Sequence, residues 1–404
     1  MSQNKHLIRL QGAVQHYDWG GFDYIPRLIQ KDNPEHQPFA ELWMGAHPLA
    51  PALAQTNGTQ QPLDQFIAKN PMEILGAPVA AAFQNRLPYL FKVLDVHKML
   101  SIQAHPSKAQ AEAGFRRENE QGIPLDAPHR TYRDDNHKPE IMVALTDFWL
   151  LHGFKTLPDI QKAIAEVPEF QPLQAIANQN DIFALYRQVM EMPQADINAM
   201  LAPLQQRLAP MQALKTSPDY WAKQAFEDHP PRQGHYDRGI FSIYFFNLLH
   251  VQPGQGIFQG AGIPHAYLEG VNIELMANSD NVFRGGLTNK HMDVPELLKS
   301  LIFEPVTPQI LEGEALSDTE WVYRSPAPDF ELRRISLASN QQHHCTEAEA
   351  PHTLIVLEGK VQTDAGQTYT RGDVFLAPAG CAYTLRADAA GSTLFKATVP
   401  QRRS

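Results

Sequence analysis

Two stretches of the chain share one turn signature, and only the first ends in an imidazole. Residues 254–265 read Gly-Gln-Gly-Ile-Phe-Gln-Gly-Ala-Gly-Ile-Pro-His, and residues 372–383 read Gly-Asp-Val-Phe-Leu-Ala-Pro-Ala-Gly-Cys-Ala-Tyr. Aligned without gaps, Gly254 meets Gly372, Gly260 meets Pro378, Gly262 meets Gly380 and His265 meets Tyr383. Strand, glycine turn, strand is what closing a small two-sheet barrel requires, because Gly supplies turn dihedrals that other residues resist. His265 can give a ring nitrogen to a metal, and Tyr383 stands where that ligand would be in the second copy. The expectation is a metal in the first unit and none in the second.

The signature resembles the second motif of cupins, small jelly-roll barrels in which the final His is a metal ligand. The first cupin motif sets His-x-His on one strand, so both side chains face the interior at period two. Here Ser101-Ile102-Gln103-Ala104-His105-Pro106 offers Gln103 and His105 at that spacing. The motif's Glu has its next plausible match at Glu140, in Asn136-His137-Lys138-Pro139-Glu140, beyond a helical patch that starts at Ser107. The resemblance therefore implies a ligand set of Gln103, His105, Glu140 and His265. Four N/O donors of that kind, with room for water, suit Zn²⁺ in an open catalytic role better than a closed, thiolate-rich structural site. Singly, none of these residues signifies much among 17 histidines, and Glu140 could merely begin the apolar run Ile141–Leu145.

Longer blocks narrow the reading. Gln15-His16-Tyr17-Asp18-Trp19-Gly20, Glu41-Leu42-Trp43-Met44-Gly45-Ala46-His47-Pro48, the segments around His105 and Glu140, and the run from Ile273 to Lys290 resemble the type I mannose-6-phosphate isomerases, in family order. The resemblance implies a zinc enzyme of cupin fold that interconverts mannose 6-phosphate and fructose 6-phosphate, with one Zn²⁺ per chain on Gln103, His105, Glu140 and His265. The family's active-site Arg falls on Arg284 and its Lys on Lys290. Asn289 replaces the usual Pro before that Lys, which frees one backbone dihedral.

Aldose–ketose isomerisation moves a proton between C1 and C2 through an enediol, so it needs a base near those carbons and positive charge near their oxygens. Arg284 would steady the developing anion, and its neighbours Gly285 and Gly286 would let the backbone approach substrate closely. For the base, Glu274 ranks first, Lys138 second and His137 third. The phosphate would be met by Lys290, Arg284 and the Ser107-Lys108 pair, where Ser107 is also a sound helix cap with Gln110 three residues on. Tyr267, two residues after His265, should share its interior face and could hydrogen-bond sugar. Two competing classes are a metal-dependent sugar-binding cupin without catalysis and an Fe²⁺ oxidative cupin.

The elements that must position these groups are legible from texture. The chain has 404 residues, a length that suggests roughly two to three domains. It carries 34 Lys and Arg against 44 Asp and Glu, a net charge of −10 and a pI near 5.9. That balance gives no general footprint for nucleic acid. Two cysteines make no disulfide framework, which fits a cytoplasmic protein. No run approaches the roughly 18 apolar residues of a membrane span. The expected partner is a small sugar phosphate, with no nucleic acid and no membrane, and the expected state is a monomer. Short apolar runs such as Leu7–Leu10, Leu87–Leu94 and Phe148–Leu151 read as strands. From Leu157 to about Gln224 the chain is glycine-free, with apolar residues recurring at Ile182, Leu185, Tyr186, Val189 and Met190, which is helix text. After Gly239, Ile240–Phe245 reads as strand again. The predicted fold class is mainly β with a helical insertion: a discontinuous catalytic barrel over 1–154 and 236–314, a helical domain over 155–235, and a metal-free barrel over 315–404.

Overall fold

The computed structural model describes residues 6–56 and 58–400. The architecture is mainly β, built from two antiparallel sheets with helices packed against them. No helix among the described residues is long and apolar enough to cross a membrane.

The first sheet runs in the order Phe246–Val251, Phe148–Phe154, His265–Ala277, Tyr89–Val96, Glu41–Trp43 and Ala13–Gln15. Its organising element is the long strand His265–Ala277. Over His265–Glu269 it pairs with Phe148–Phe154, and over Gly270–Ala277 it pairs with Tyr89–Val96. Gly270 sits at the changeover with φ of 124°, and a Cβ there would lie 2.5 Å from the Asp147 carbonyl oxygen. Only glycine fits such a bend. The two halves of one strand are thereby aimed differently, the first carrying His265 and the second Glu274.

The second sheet holds the C-terminal strands, from Glu314–Ala315 to the long Tyr383–Thr398. It also recruits the beginning of the chain. Ile8–Gln11 pairs with Val374–Ala377 on one side and with Leu53–Thr56 on the other, so the break foreseen at residue 315 is crossed by a hydrogen-bonded seam.

Between the sheets' strands in sequence lie the helices Leu157–Glu166, Gln174–Ala177, Ile182–Glu191, Gln194–Leu208 and Pro218–Asp228, with a 3₁₀ turn at Pro168–Leu173. The residues whose spacing predicted helix, Ile182, Leu185, Tyr186, Val189 and Met190, are all buried. One strand expectation fails. Ile240–Phe245 lies within the helix Gly239–Phe245, every residue of which is buried. A run buried on all sides carries no periodicity, so composition could not separate helix from strand. The helices share one core with the first sheet, in which Phe154 packs edge-on against Tyr186 and Phe246. The helix Lys108–Glu120 begins as expected: Ser107 accepts from the Gln110 backbone, and the Gln110 side chain accepts from the Ser107 N–H at 2.9 Å.

Candidate metal centre and the cleft around it

Strand register brings the predicted ligands together. Gln103, on Ile102–Ala104, lies opposite His265 on one side and opposite Arg284 on the other. Glu140 opens the strand Glu140–Ala144 and pairs with Gln259 and Met276. His105 follows the Gln103 strand by one residue. The side chains of His105, Glu140 and His265 are all but fully buried. Their nearest donor atoms lie within 4.8 Å of one another, the one such group of three His, Cys, Asp or Glu residues found among the described residues.

The orientation of the two imidazoles is fixed from outside the centre. His105 Nδ1 is bonded to the Asn281 carbonyl at 2.9 Å, and His265 Nδ1 to the Ile263 carbonyl at 3.0 Å. Carbonyls only accept, so each Nδ1 carries the hydrogen and each Nε2 presents a lone pair. Those Nε2 atoms lie 3.3 and 3.4 Å from the Glu140 carboxylate. Both, with Glu140 Oε2, are buried without a hydrogen-bond partner. Buried polar atoms left unpaired are costly. Three converging on one point fit a divalent cation. Burial also pushes His105 down to about 4, against the pull of Glu140, which keeps its ring neutral and able to ligate.

Glu140 reaches the centre across a long insertion, and the block Asn278–Asn281 is what holds it there. The Asn281 amide nitrogen donates to the Asp134 and Asn136 carbonyls at 2.8 and 2.9 Å, and its oxygen accepts from Arg133 N at 2.7 Å. Ser279 Oγ donates to Asp134 at 2.8 Å. The segment leading into Glu140 is thus laced to the strand end that follows Glu274.

The centre opens on a cleft of about 690 Å³ that Gln103, Lys138, Glu140, Tyr267, Glu274, Arg284 and Lys290 all line. Lys138 Nζ lies 3.1 Å from Glu140 Oε1. Glu274 is buried, which raises its carboxyl above the usual range despite Lys92 beside it. Tyr267 lines the cleft, donating to Glu274 Oε1 at 2.9 Å and accepting from Gln259 at 3.1 Å, so its hydroxyl holds the carboxylate. Arg284 and Lys290 stand with Arg133 as cations that make no ion pair among the described residues. Burial and the neighbouring arginines lower both Arg284 and Lys290 from their ordinary values. Unneutralised positive charge in a cleft is what a phosphate seeks.

Three expectations need correction. His137 turns away and pairs with Asp329 at 2.7 Å, because neighbouring residues of extended chain point to opposite sides. Ser107 is occupied as a helix cap, and Lys108 Nζ donates to the Asp135 carbonyl at 2.9 Å and to Asn136 Oδ1 at 3.2 Å; neither lines the cleft. Gly286 is glycine for packing rather than for substrate. Its φ is 125°, and a Cβ would fall 2.3 Å from Gly239 Cα. Gly286→Ala should therefore cost about 1–3 kcal/mol in urea unfolding, through backbone strain and overpacking beside Arg284.

Sequence reasoning missed Lys92. It stands opposite both Glu274 and Trp43 in register, with Nζ 3.2 Å from Glu274 and 3.3 Å from Glu41. Trp43 Nε1 donates to the same Glu41 carboxylate. Burial alone would lower the Lys92 ammonium, but Glu41, Glu274 and Glu140 together raise it. A lysine inside a strand buried along its whole length was the available signal. Lys92→Met should cost roughly 3–5 kcal/mol by denaturant titration, since it leaves two buried carboxylates without their cation. Also unforeseen are Asp228, His229 and Arg232, which line the cleft from the helical side.

Comparison with known proteins agrees with this geometry. The family profile for the catalytic domain of type I phosphomannose isomerase matches residues 7–157. The mannose-6-phosphate isomerase of Salmonella typhimurium is 37% identical over 364 residues, covering 85% of this chain and 90% of that protein. The human mannose-6-phosphate isomerase is 34% identical over 397 residues, covering 90% of each. A crystal structure of a phosphomannose isomerase variant from Salmonella typhimurium superimposes with a TM-score of 0.88 at 33% identity, covering 98% of this chain and 100% of the other. A zinc-bound mannose 6-phosphate isomerase structure gives 0.87 at 32% identity, with the same coverage. By its buried donor set, its cleft and its likeness along nearly its whole length, the chain belongs to the type I mannose-6-phosphate isomerase family.

Proposed function

We propose that the cleft interconverts D-mannose 6-phosphate and D-fructose 6-phosphate through an enediol, with one Zn²⁺ held by Gln103, His105, Glu140 and His265. The observation that carries the reading is the pairing of three buried, unpartnered donor atoms with the unneutralised Arg284 and Lys290 in one cleft. Zinc, when bound, supplies Lewis acidity toward the sugar oxygens at C1 and C2. Arg284 and Lys290 bind the anionic parts of the substrate, Lys290 the phosphate and Arg284 the charge that develops on the oxygens.

Glu274 removes the proton from C2 of the aldose and returns it to C1. Its raised affinity for a proton suits that exchange, and Lys92 and Tyr267 hold the carboxylate in place. Lys138 is the second candidate for the proton, and its contact with Glu140 keeps it beside the metal donors. The repeated signature further supports reading the two sheets as two jelly-roll barrels, the second without metal and the helical segment inserted into the first.

Running the reaction in D₂O tests the chemistry. Conversion of mannose 6-phosphate to fructose 6-phosphate should place solvent deuterium on the carbon that receives the proton. Conversion that never incorporates deuterium fits either a hydride shift or a base shielded from solvent, and persistence of the rate in Glu274→Gln would then remove the role given to Glu274.

A further inference from the structure

The two free cations of the cleft are held in different ways. Arg284 lies within the strand Phe283–Gly286, in register with Gln103. Lys290 lies past the end of that strand, in the irregular stretch before the helix Val294–Ser300. No strand pairing reaches it there. Leu287 N donates to Asp237 Oδ1 at 2.9 Å, and Thr288 N donates to Asp237 Oδ2 at 3.0 Å. Lys290 N in turn donates to Thr288 Oγ1 at 3.1 Å. Among the described residues, the bonds to Asp237 are the hydrogen bonds that tie the backbone of 287–290 to the rest of the fold. Asn289 leaves free a dihedral that proline would fix, so the placement of Lys290 leans on that anchor.

The fold makes room for the contact. Leu287 has φ of 51°, a left-handed backbone that a leucine keeps only where its surroundings impose it. A Cβ on Gly286 would lie 2.8 Å from Asp237 Oδ1. One on Gly239 would lie 2.9 Å from the same oxygen and 2.7 Å from Leu287 N. Two glycines thus clear the space in which one carboxylate meets the N–H groups of Leu287, Thr288 and, at 2.7 Å, Gly239. Hydrogen bonds from backbone N–H to a charged oxygen are stronger than neutral ones. Asp237 is itself pinned to the helical insertion on both sides. Tyr236 N donates to Asn198 Oδ1 at 3.2 Å, and the Tyr236 carbonyl accepts from Gln194 at 2.9 Å. On the other side, Arg238 donates to the Met190 carbonyl.

We propose that Asp237 is a positioning residue for the phosphate, through which the helical insertion sets where Lys290 stands in the cleft. The inference rests on the reading of Lys290 as the phosphate contact. Steady-state kinetics on the full-length, zinc-loaded protein test it, with inorganic phosphate as a competing probe. Asp237→Asn keeps the side chain's shape but turns an amide N–H toward the loop's own N–H groups. KM for mannose 6-phosphate and the inhibition constant of inorganic phosphate should each rise about tenfold, the loss of roughly one charge-assisted bond. kcat should change much less, and zinc per chain should not change. Lys290→Met should raise KM by itself, and in that background Asp237→Asn should add less than about twofold, since a residue acting through Lys290 has nothing left to position. If thermal melting shows the Asn variant to be unfolded, Asp237→Ser, whose hydroxyl can still accept, is measured in its place. An unchanged KM in the folded Asp237 variant, beside a raised one in Lys290→Met, would overturn the inference and leave the phosphate contact standing. Equal fold-changes in the two backgrounds would make Asp237 a prop for the fold and would also overturn it. An unchanged KM in Lys290→Met would instead remove the phosphate contact on which the inference rests.

Discussion

Glu140→Gln is expected to empty the metal centre and to lower mannose 6-phosphate isomerisation by roughly a thousandfold or more. The carboxylate is the only anionic member of the proposed set, and the imidazoles of His105 and His265 lie against it at 3.3 and 3.4 Å. An amide of the same shape keeps the packing but gives up the negative charge that offsets a divalent cation. Lewis-acid stabilisation is worth several kcal/mol, and each 1.36 kcal/mol is about tenfold in rate. Two readouts belong together: zinc per chain by elemental analysis and the isomerisation rate. A variant that retains full zinc and loses only rate would make Glu140 a chemical group rather than a ligand.

Glu274→Gln should divide those readouts the other way. Zinc content should stay at the level of the unaltered protein while kcat falls by about 10²–10⁴, the usual contribution of a positioned acid–base group. KM should change much less, because the phosphate contact assigned to Lys290 is untouched. The amide can still accept from Tyr267, which preserves one of the two contacts that fix the side chain. If Lys138 rather than Glu274 moves the proton, Glu274→Gln will retain most of its rate and Lys138→Met will not.

Much of the centre was legible because its spacing obeys strand geometry. Gln103 and His105 stand two residues apart at the end of one strand and just past it, and His265 ends a glycine turn whose copy ends in Tyr383; both patterns survive in one dimension. Glu140 was legible only through family likeness, since its approach depends on Asn281 and Ser279 gripping a loop well over a hundred residues earlier in the chain. Lys92 was missed for a related reason. Its partners Glu41 and Glu274 lie on the two flanking strands, and a lysine in an apolar run gives no hint of them. His137 shows the reverse failure. Adjacency to Lys138 suggested the cleft, but extended chain sends neighbours to opposite faces, and Asp329 receives it. The helix Gly239–Phe245 was unreadable because complete burial erases the contrast on which periodicity depends. The helical stretch carried no motif, yet Asp228, His229 and Arg232 reach the cleft from it; lining a site needs only position.

The most direct test of the central claim is the rate of mannose 6-phosphate isomerisation by the purified protein before chelation, after chelation, and after Zn²⁺ is returned. Loss of activity with the metal and recovery on adding one equivalent of Zn²⁺ is the predicted result. Undiminished isomerisation by fully metal-free protein would contradict the role assigned to the buried donors. Absence of isomerisation in the zinc-loaded protein would contradict the proposed reaction itself.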